Sequence, residues 1–157
     1  MKQDKQHIII RRWLLLFIVV LFLSGLSVLP AEWELTLALS LLPKDTIVYN
    51  WLSKVLTGYK EVHANNGFLL YGYDWLAFAH FVLAILFIGT YRDPVKNVWV
   101  IQFGLIASIL IIPFAFIAGF LRSIPFWWQL VDSSFGVFGF ILLWLCLKKI
   151  RQLPNTS

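Results

Sequence analysis

The sequence predicts an all-α fold, namely a four-helix transmembrane bundle with an amphipathic interfacial helix in the long first outer loop. Hydrophobic residues make up 60% of the chain and charged residues 13%, whereas a soluble domain carries about 25% charged residues. Four apolar stretches each match the roughly 17–25 residues that a helix needs to cross a hydrocarbon core of about 30 Å. The predicted spans are residues 13–29, 75–91, 98–120 and 131–147 of a single domain, residues 1–157.

The positions of the basic residues predict the topology. Nine of the thirteen Lys and Arg residues lie in the N-terminal segment, in the turn 92–96 and in the C-terminal segment. Because Lys and Arg are enriched in cytoplasmic loops, both termini are predicted to lie in the cytoplasm and the loop 30–73 outside it. These residues flank the spans and form no basic face. We therefore expect membrane lipids as partners, and no nucleic acid.

The first span has two interpretations. Its basic start, apolar run and Gly25-Leu26-Ser27 are similar to a signal peptide with a small-residue cleavage site. An uncleaved anchor is favoured, because three further spans already place the chain in the membrane. Cys146 is the only cysteine, which excludes an intramolecular disulfide and a CxxC redox enzyme.

The outer loop 30–73 is predicted to be structured. In 31–42, an early proline and two acidic residues in the first turn favour a helix, whereas strict apolar–polar alternation favours a strand. We favour the helix, ended by Pro43. The next segment has apolar residues at helical spacing, so it predicts an amphipathic helix along the outer interface, capped by Asp45. The sequence Asn65-Asn66-Gly67 predicts a turn before the second span.

Two connections are predicted in detail. Asp93 is expected to cap the helix that contains the third span, and Pro94 to be the first residue of that helix, so that spans two and three form an antiparallel hairpin. Spans three and four each carry a stripe of small residues, which predicts that they pack closely. The stripes end in Arg122 and Asp132. We expect these two to form an ion pair, with Asp132 also stabilised at a helix N-terminus.

Polar groups in or beside the spans are the candidate functional residues, because such groups are costly in a membrane. The candidate pocket or polar cluster, in the outer half of the membrane, consists of Asp74, His80, Arg122 and Asp132. His80 is interpreted either as a proton-handling group or as a hydrogen-bond donor to the Ile109 carbonyl, which Pro113 leaves without its helical partner.

Four other residues are candidate structural positions: Gln102, Pro113, Tyr73 and Tyr91. Gln102 is expected to form a hydrogen bond across helices. A metal site needs several His, Cys or carboxylate ligands together, and the sequence shows no such spacing. No metal and no cofactor is therefore predicted.

Three segments, 71–80, 91–97 and 132–139, resemble a family of small, uncharacterised bacterial four-span integral membrane proteins. They read YGYDWLAFAH, YRDPVKN and DSSFGVFG. The resemblance covers most of the chain. It implies a bacterial inner membrane and no particular activity, because none is known for the family.

Two functions are consistent with these observations. The first is a non-catalytic accessory, assembly or scaffolding subunit whose outer loop binds a membrane-protein partner, since no catalytic constellation is evident. The alternative is a small membrane enzyme or carrier that binds a lipid or quinone-like molecule in an outer-leaflet pocket around His80.

Overall fold

The computed structural model describes the backbone of residues 2–152 and the side chains of residues 6–152. Of the basic residues in the N-terminal segment, Lys2 and Lys5 have side chains that lie outside this part. The described chain is all-α without a strand, which confirms the predicted class. Its helices are α1 (Lys2–Val28), α2 (Ala31–Leu41), α3 (Ile47–Asn66), α4 (Tyr71–Arg92), α5 (Val98–Leu121) and α6 (Phe126–Ile150), with a 3₁₀-helix (Gly67–Leu70) between α3 and α4.

Within the described residues, four helical segments are long and apolar enough to cross a membrane. They are Gln6–Val28 in α1, Ile47–Arg92, which runs from α3 through α4, Val98–Leu121 (α5) and Phe126–Ile150 (α6). They contain most of each of the four predicted spans. Large apolar side chains on them are exposed, including Phe114 at 71% and Phe120 at 82%. Such exposure is expected of helices whose outer surface meets lipid, because lipid tails are as apolar as the side chains.

The predicted helix in 31–42 is confirmed as α2. Its C-terminal neighbour Leu42 is extended, with φ −89° and ψ 142°, because the ring of Pro43 disfavours the helical conformation in the preceding residue. The amphipathic helix is α3, but its predicted cap was one residue too early. The Thr46 hydroxyl accepts the Tyr49 N–H at 3.1 Å, while Asp45 has a left-handed backbone with φ 70°.

The predicted turn at Asn65-Asn66-Gly67 is wrong. Gly67 has right-handed helical angles, φ −52° and ψ −26°, and starts the 3₁₀-helix. Only Asn66, with φ −143° and ψ 45°, departs from helical geometry. Because no left-handed residue reverses the chain here, α3, the 3₁₀-helix and α4 follow one another without a loop.

The start of the third span at residue 98 agrees with the structure, but the start of its helix was predicted too early. The helix α5 begins at Val98 rather than at Pro94, because Asp93 caps a short turn instead: its carboxylate accepts the Lys96 N–H at 3.0 Å. The side-chain amide of Asn97 donates to the carbonyls of Gly89 at 3.2 Å and Asp93 at 3.0 Å. Each of these carbonyls also accepts a main-chain N–H, that of Asp93 for Gly89 and that of Asn97 for Asp93. The Asn97 side chain therefore adds a second donor that holds the turn against the last turn of α4.

By contacts within the chain, the molecule divides into two compact units. The first consists of Met1–Val19 and Ile85–Ser157, and the second of Val20–Ala84. Since α1 and α4 each contribute to both, the single domain stays a prediction.

The first unit is organised by close packing of α5 against α6. A Cβ atom added at Gly136 would lie 2.5 Å from the Ser108 carbonyl oxygen, and one at Gly139 would lie 2.9 Å from the Ser108 hydroxyl oxygen. This confirms the packing predicted from the small residues. The fully buried side chains of this unit include Ile10, Leu14, Val100, Ile101, Leu143 and Cys146.

The second unit contains a similar close approach between α1 and α4. A Cβ atom at Gly25 would lie 2.7 Å from the Cβ of His80, and the rings of Phe22 and Phe81 lie 5.1 Å apart. The helices α2 and α3 are joined by an ion pair between Glu32 and Lys60 at 3.6 Å. Because both side chains are about half exposed, this pair contributes little to stability.

The contact at Gly136 predicts the effect of a single methyl group. Gly136→Ala should lower the free energy of unfolding by about 1–3 kcal/mol, the usual cost of overpacking, because the opposing Ser108 atom is main chain and cannot rotate away. Reversible unfolding in mixed detergent micelles measures it. Gly89→Ala is the matched control, since a Cβ there meets nothing within 4 Å. Equal effects of the two substitutions would contradict the prediction.

Candidate functional site

The residues Asp74 and His80 both lie on α4, in the second unit. The Nδ1 atom of half-buried His80 is 2.8 Å from the carbonyl oxygen of Leu76, one turn back, and donates to it in the tautomer protonated at Nδ1. Asp74 is exposed and lines a surface pocket of about 240 Å³. The other lining residues are Tyr71, Trp75 and Phe78. One His80 nitrogen thus has a partner in its own helix. Ile109 belongs to the other unit, so the predicted bond from His80 to its carbonyl stays a prediction.

The other two residues of the predicted cluster, Arg122 and Asp132, belong to the first unit. The predicted ion pair between them is not formed, and Arg122 is exposed at the C-terminal cap of α5. The reason is that α6 begins at Phe126, so Asp132 lies about 9 Å along the helix at 1.5 Å per residue. The first turn of α6 holds no acidic residue, so the predicted stabilisation of Asp132 at a helix N-terminus is also wrong.

The four-residue cluster as a whole stays a prediction, because its two halves fall in different units. Asp74 and His80 lie within Val20–Ala84, and Arg122 and Asp132 within Ile85–Ser157.

The candidate structural residues have different surroundings. Tyr73 packs edge-to-face on Tyr59, with ring centroids 6.2 Å apart. Pro113 lies inside α5. Gln102 is exposed and has no hydrogen-bond partner within residues 2–152, so its expected bond across helices is not formed.

Tyr91 takes part in an arrangement that the sequence did not reveal. The guanidinium carbon of Arg11 lies 5.8 Å from the Tyr91 ring centroid, and its Nη2 donates to the Arg92 carbonyl at 3.2 Å. Arg11 thus caps the C-terminal end of α4, where a cation is favoured by the helix dipole. The sequence showed Arg11 only as a flanking basic residue, because its partner is 81 positions away.

A groove of about 470 Å³ lies along α5 and α6 in the first unit. Its lining residues are Ile112, Phe116, Leu130, Ser133, Ser134, Val137, Phe138 and Ile141. The Ser134 hydroxyl donates to the Val131 carbonyl at 2.6 Å. The Ser133 hydroxyl is buried and has no hydrogen-bond partner in the described chain. Because this oxygen has almost no accessible surface, it is not exposed to a molecule in the groove.

Gln129, near the start of α6, is a second polar residue that the sequence analysis missed. It is 7% exposed, its Nε2 donates to the Ile124 carbonyl at 2.8 Å, and its side chain packs against Gly119. Gln129 therefore fixes the connection between α5 and α6. In the sequence, the only indication of this role is that Gln129 is an amide residue beside the aromatic residues that begin α6.

The hydrogen-bond partners of the described polar side chains limit the chemistry that a site in this part of the chain could perform. Within residues 2–152, no hydrogen bond joins a serine, cysteine or histidine side chain to a carboxylate. No group of three or more His, Cys, Asp or Glu residues suited to a metal ion occurs in the same part of the chain. The described polar side chains mostly bind main-chain carbonyls, as structural groups do.

Comparison with protein-family models, with curated proteins and with solved structures finds no match to this chain. Its class therefore rests on the fold: four apolar helices of spanning length make it a multi-pass membrane protein.

The turn between α4 and α5 contains a group with a pH-dependent role. The N–H of Lys96 donates to the carboxylate of Asp93, and this bond lowers the pKa of Asp93 below its usual value. A carboxyl group with a lowered pKa in the folded state stabilises that state above the unfolded pKa, about 3.9. The contribution is lost as the pH falls through the lowered, folded pKa.

We therefore expect the pKa of the Asp93 carboxyl to lie below the ordinary aspartate value, and the exchange of the Lys96 amide hydrogen to quicken as the carboxylate is protonated. Carboxyl NMR titration and amide hydrogen exchange in micelles measure the two effects. Asp93→Asn should remove the pH dependence at Lys96. Titration at the ordinary aspartate value would contradict the assignment.

Proposed function

We propose that this membrane protein is a non-catalytic accessory, assembly or scaffolding subunit, and that α2 is its partner-binding element. The observation that carries the proposal is an exposed apolar stripe on α2. Trp33, Leu37 and Leu41 are 65%, 43% and 77% exposed. Their spacing of four residues places them along one side of the helix.

The position of α2 supports this role. None of its residues is buried, and Glu32 ties it to α3 through Lys60. The helix α2 thus lies beside α3, and its stripe remains free of contacts that would bury it. Side chains at i, i+4 and i+8 are the pattern by which an amphipathic helix enters a partner's groove, and tryptophan is enriched among the residues that dominate such interfaces.

The surroundings of the polar residues also favour a structural subunit over an enzyme. His80 has a main-chain partner in its own helix, and general acid–base catalysis would instead need a positioned group within hydrogen-bond reach of a substrate. We place the protein in a bacterial inner membrane, with both termini cytoplasmic and α2 on the outer side. This follows the basic-residue distribution and the resemblance to the bacterial four-span family.

A second candidate function is a carrier for a lipid or quinone-like molecule. The groove in the first unit favours it, because an apolar groove can hold an aliphatic chain. This groove is lined by residues of α5 and α6, whereas the sequence analysis placed the pocket around His80.

Photocrosslinking in intact membranes tests the leading proposal. A benzoylphenylalanine at Leu41 should give one discrete protein adduct, because this position lies in the stripe. The same residue at Ile106, which is 58% exposed on α5, is the matched control and should crosslink mainly to lipid. Lipid adducts alone at both positions would contradict a subunit role for α2.

The carrier function is tested separately by the same label at Val137, in the groove. A discrete lipid or quinone adduct there, with none at Ile106, would support the carrier. Failure of the α2 crosslink together with this result would replace the first proposal by the second.

A further inference from the structure

A pocket of about 340 Å³ lies on the last turns of α6, in the first unit. Its lining residues are Trp144, Leu147, Lys148, Arg151 and Gln152. The first four follow the spacing i, i+3, i+4 and i+7, so they share one side of the helix. Leu147, 7% exposed, is the most buried of them. The pocket is therefore apolar toward the middle of α6 and polar toward its end.

The polar end of the pocket is cationic. Lys148 and Arg151 contribute two positive charges, and the lining contains no acidic side chain. The Lys148 ammonium lies 5.2 Å from the centroid of the Trp144 ring, so the aromatic face positions this cation. Free carbonyl oxygens at a helix C-terminus would repel an anion, but two of those at the end of α6 accept hydrogen bonds. The Arg151 N–H donates to the Leu147 carbonyl at 3.0 Å and the Gln152 N–H to the Lys149 carbonyl at 3.1 Å.

We propose that this pocket binds the phosphodiester headgroup of an anionic glycerophospholipid. The phosphate lies between Lys148 and Arg151, since a guanidinium can donate two parallel hydrogen bonds to phosphate oxygens. The first carbons of the acyl chains lie against Trp144 and Leu147. The Gln152 amide is available to the glycerol or ester oxygens.

The location of the pocket supports a lipid as the source of the phosphate. The helix α6 has the length and composition of a membrane span, so its end lies where hydrocarbon gives way to headgroups. Basic pockets at this level are recognised binding places for anionic headgroups. Two cations give a preference for lipids with a net negative charge over zwitterionic ones, because a zwitterion carries its own ammonium group.

Two basic residues outside the pocket provide a control, because their replacement distinguishes a specific lipid site from a general attraction of positive charge for anionic lipids. Lys149 is adjacent to Lys148 in sequence but does not line the pocket, and neither does exposed Arg12. The double variant Lys148→Gln with Arg151→Gln and the control Arg12→Gln with Lys149→Gln therefore lose the same total charge. Only the first removes the pocket's cations.

The experiment is native mass spectrometry of the full-length protein from detergent micelles, titrated with phosphatidylglycerol or with phosphatidylcholine. We expect one tightly bound phosphatidylglycerol, and about 30-fold weaker binding for the pocket double variant, at about a fivefold loss per cation. The control double variant should bind within about twofold of the unaltered protein. Trp144→Leu should weaken binding about two- to fivefold through the lost cation–π contact.

Three results would overturn the proposal. Equal losses in the two double variants would show a diffuse charge effect, and equal binding of phosphatidylcholine would show no recognition of net negative charge. Displacement of the lipid by millimolar inorganic phosphate, with the same dependence on Lys148 and Arg151, would assign the pocket to a free phosphate instead. Circular dichroism of every variant confirms that it remains helical. Since the lining cations are exposed, their replacement should leave the fold intact.

Discussion

The close approach of α5 and α6 at Ser108, Gly136 and Gly139 is the constraint on which the first unit depends. In a membrane, burial of apolar surface does not drive helices together, because lipid is as apolar as the side chains. Association must come from van der Waals contact, and contact between main chains requires residues without a Cβ. At Gly136 the opposing atom is a carbonyl oxygen 2.5 Å from where that Cβ would lie, so glycine is required there.

The polar groups of the spans and turns are consistent with this packing. Asn97, Gln129 and Ser134 each donate to main-chain carbonyls near them in sequence. Asn97 and Gln129 do so at helix connections and Ser134 within α6, so their donor groups are already paired. The surfaces that remain are different in kind. The stripe on α2 is apolar and suits a protein partner, whereas the pocket at the end of α6 combines Trp144 with two cations and suits a lipid.

Hydropathy was sufficient to predict the helical class and the four spans, because membrane helices need long apolar runs. Hydropathy was insufficient at helix ends, where a single residue determines where the helix begins. Asp45 and Thr46 are both good caps in sequence, and only the backbone angles select Thr46. The expected pairing of Arg122 with Asp132 failed because α6 begins at Phe126, ahead of the span predicted from residue 131. The Arg11 cap on α4 joins residues far apart in sequence, so no local pattern reveals it.

A double-mutant cycle at Ser108 tests the packing account most directly. Gly139→Ala places its methyl group against the Ser108 hydroxyl, 2.9 Å away, whereas the methyl of Gly136→Ala meets the Ser108 carbonyl. Ser108→Ala removes only the hydroxyl. The free energy of unfolding in micelles should therefore show about 1 kcal/mol of rescue for Gly139→Ala and less than about 0.5 kcal/mol for Gly136→Ala. Equal rescue of both variants would contradict main-chain contact at Gly136 as the determinant of the packing of α5 on α6.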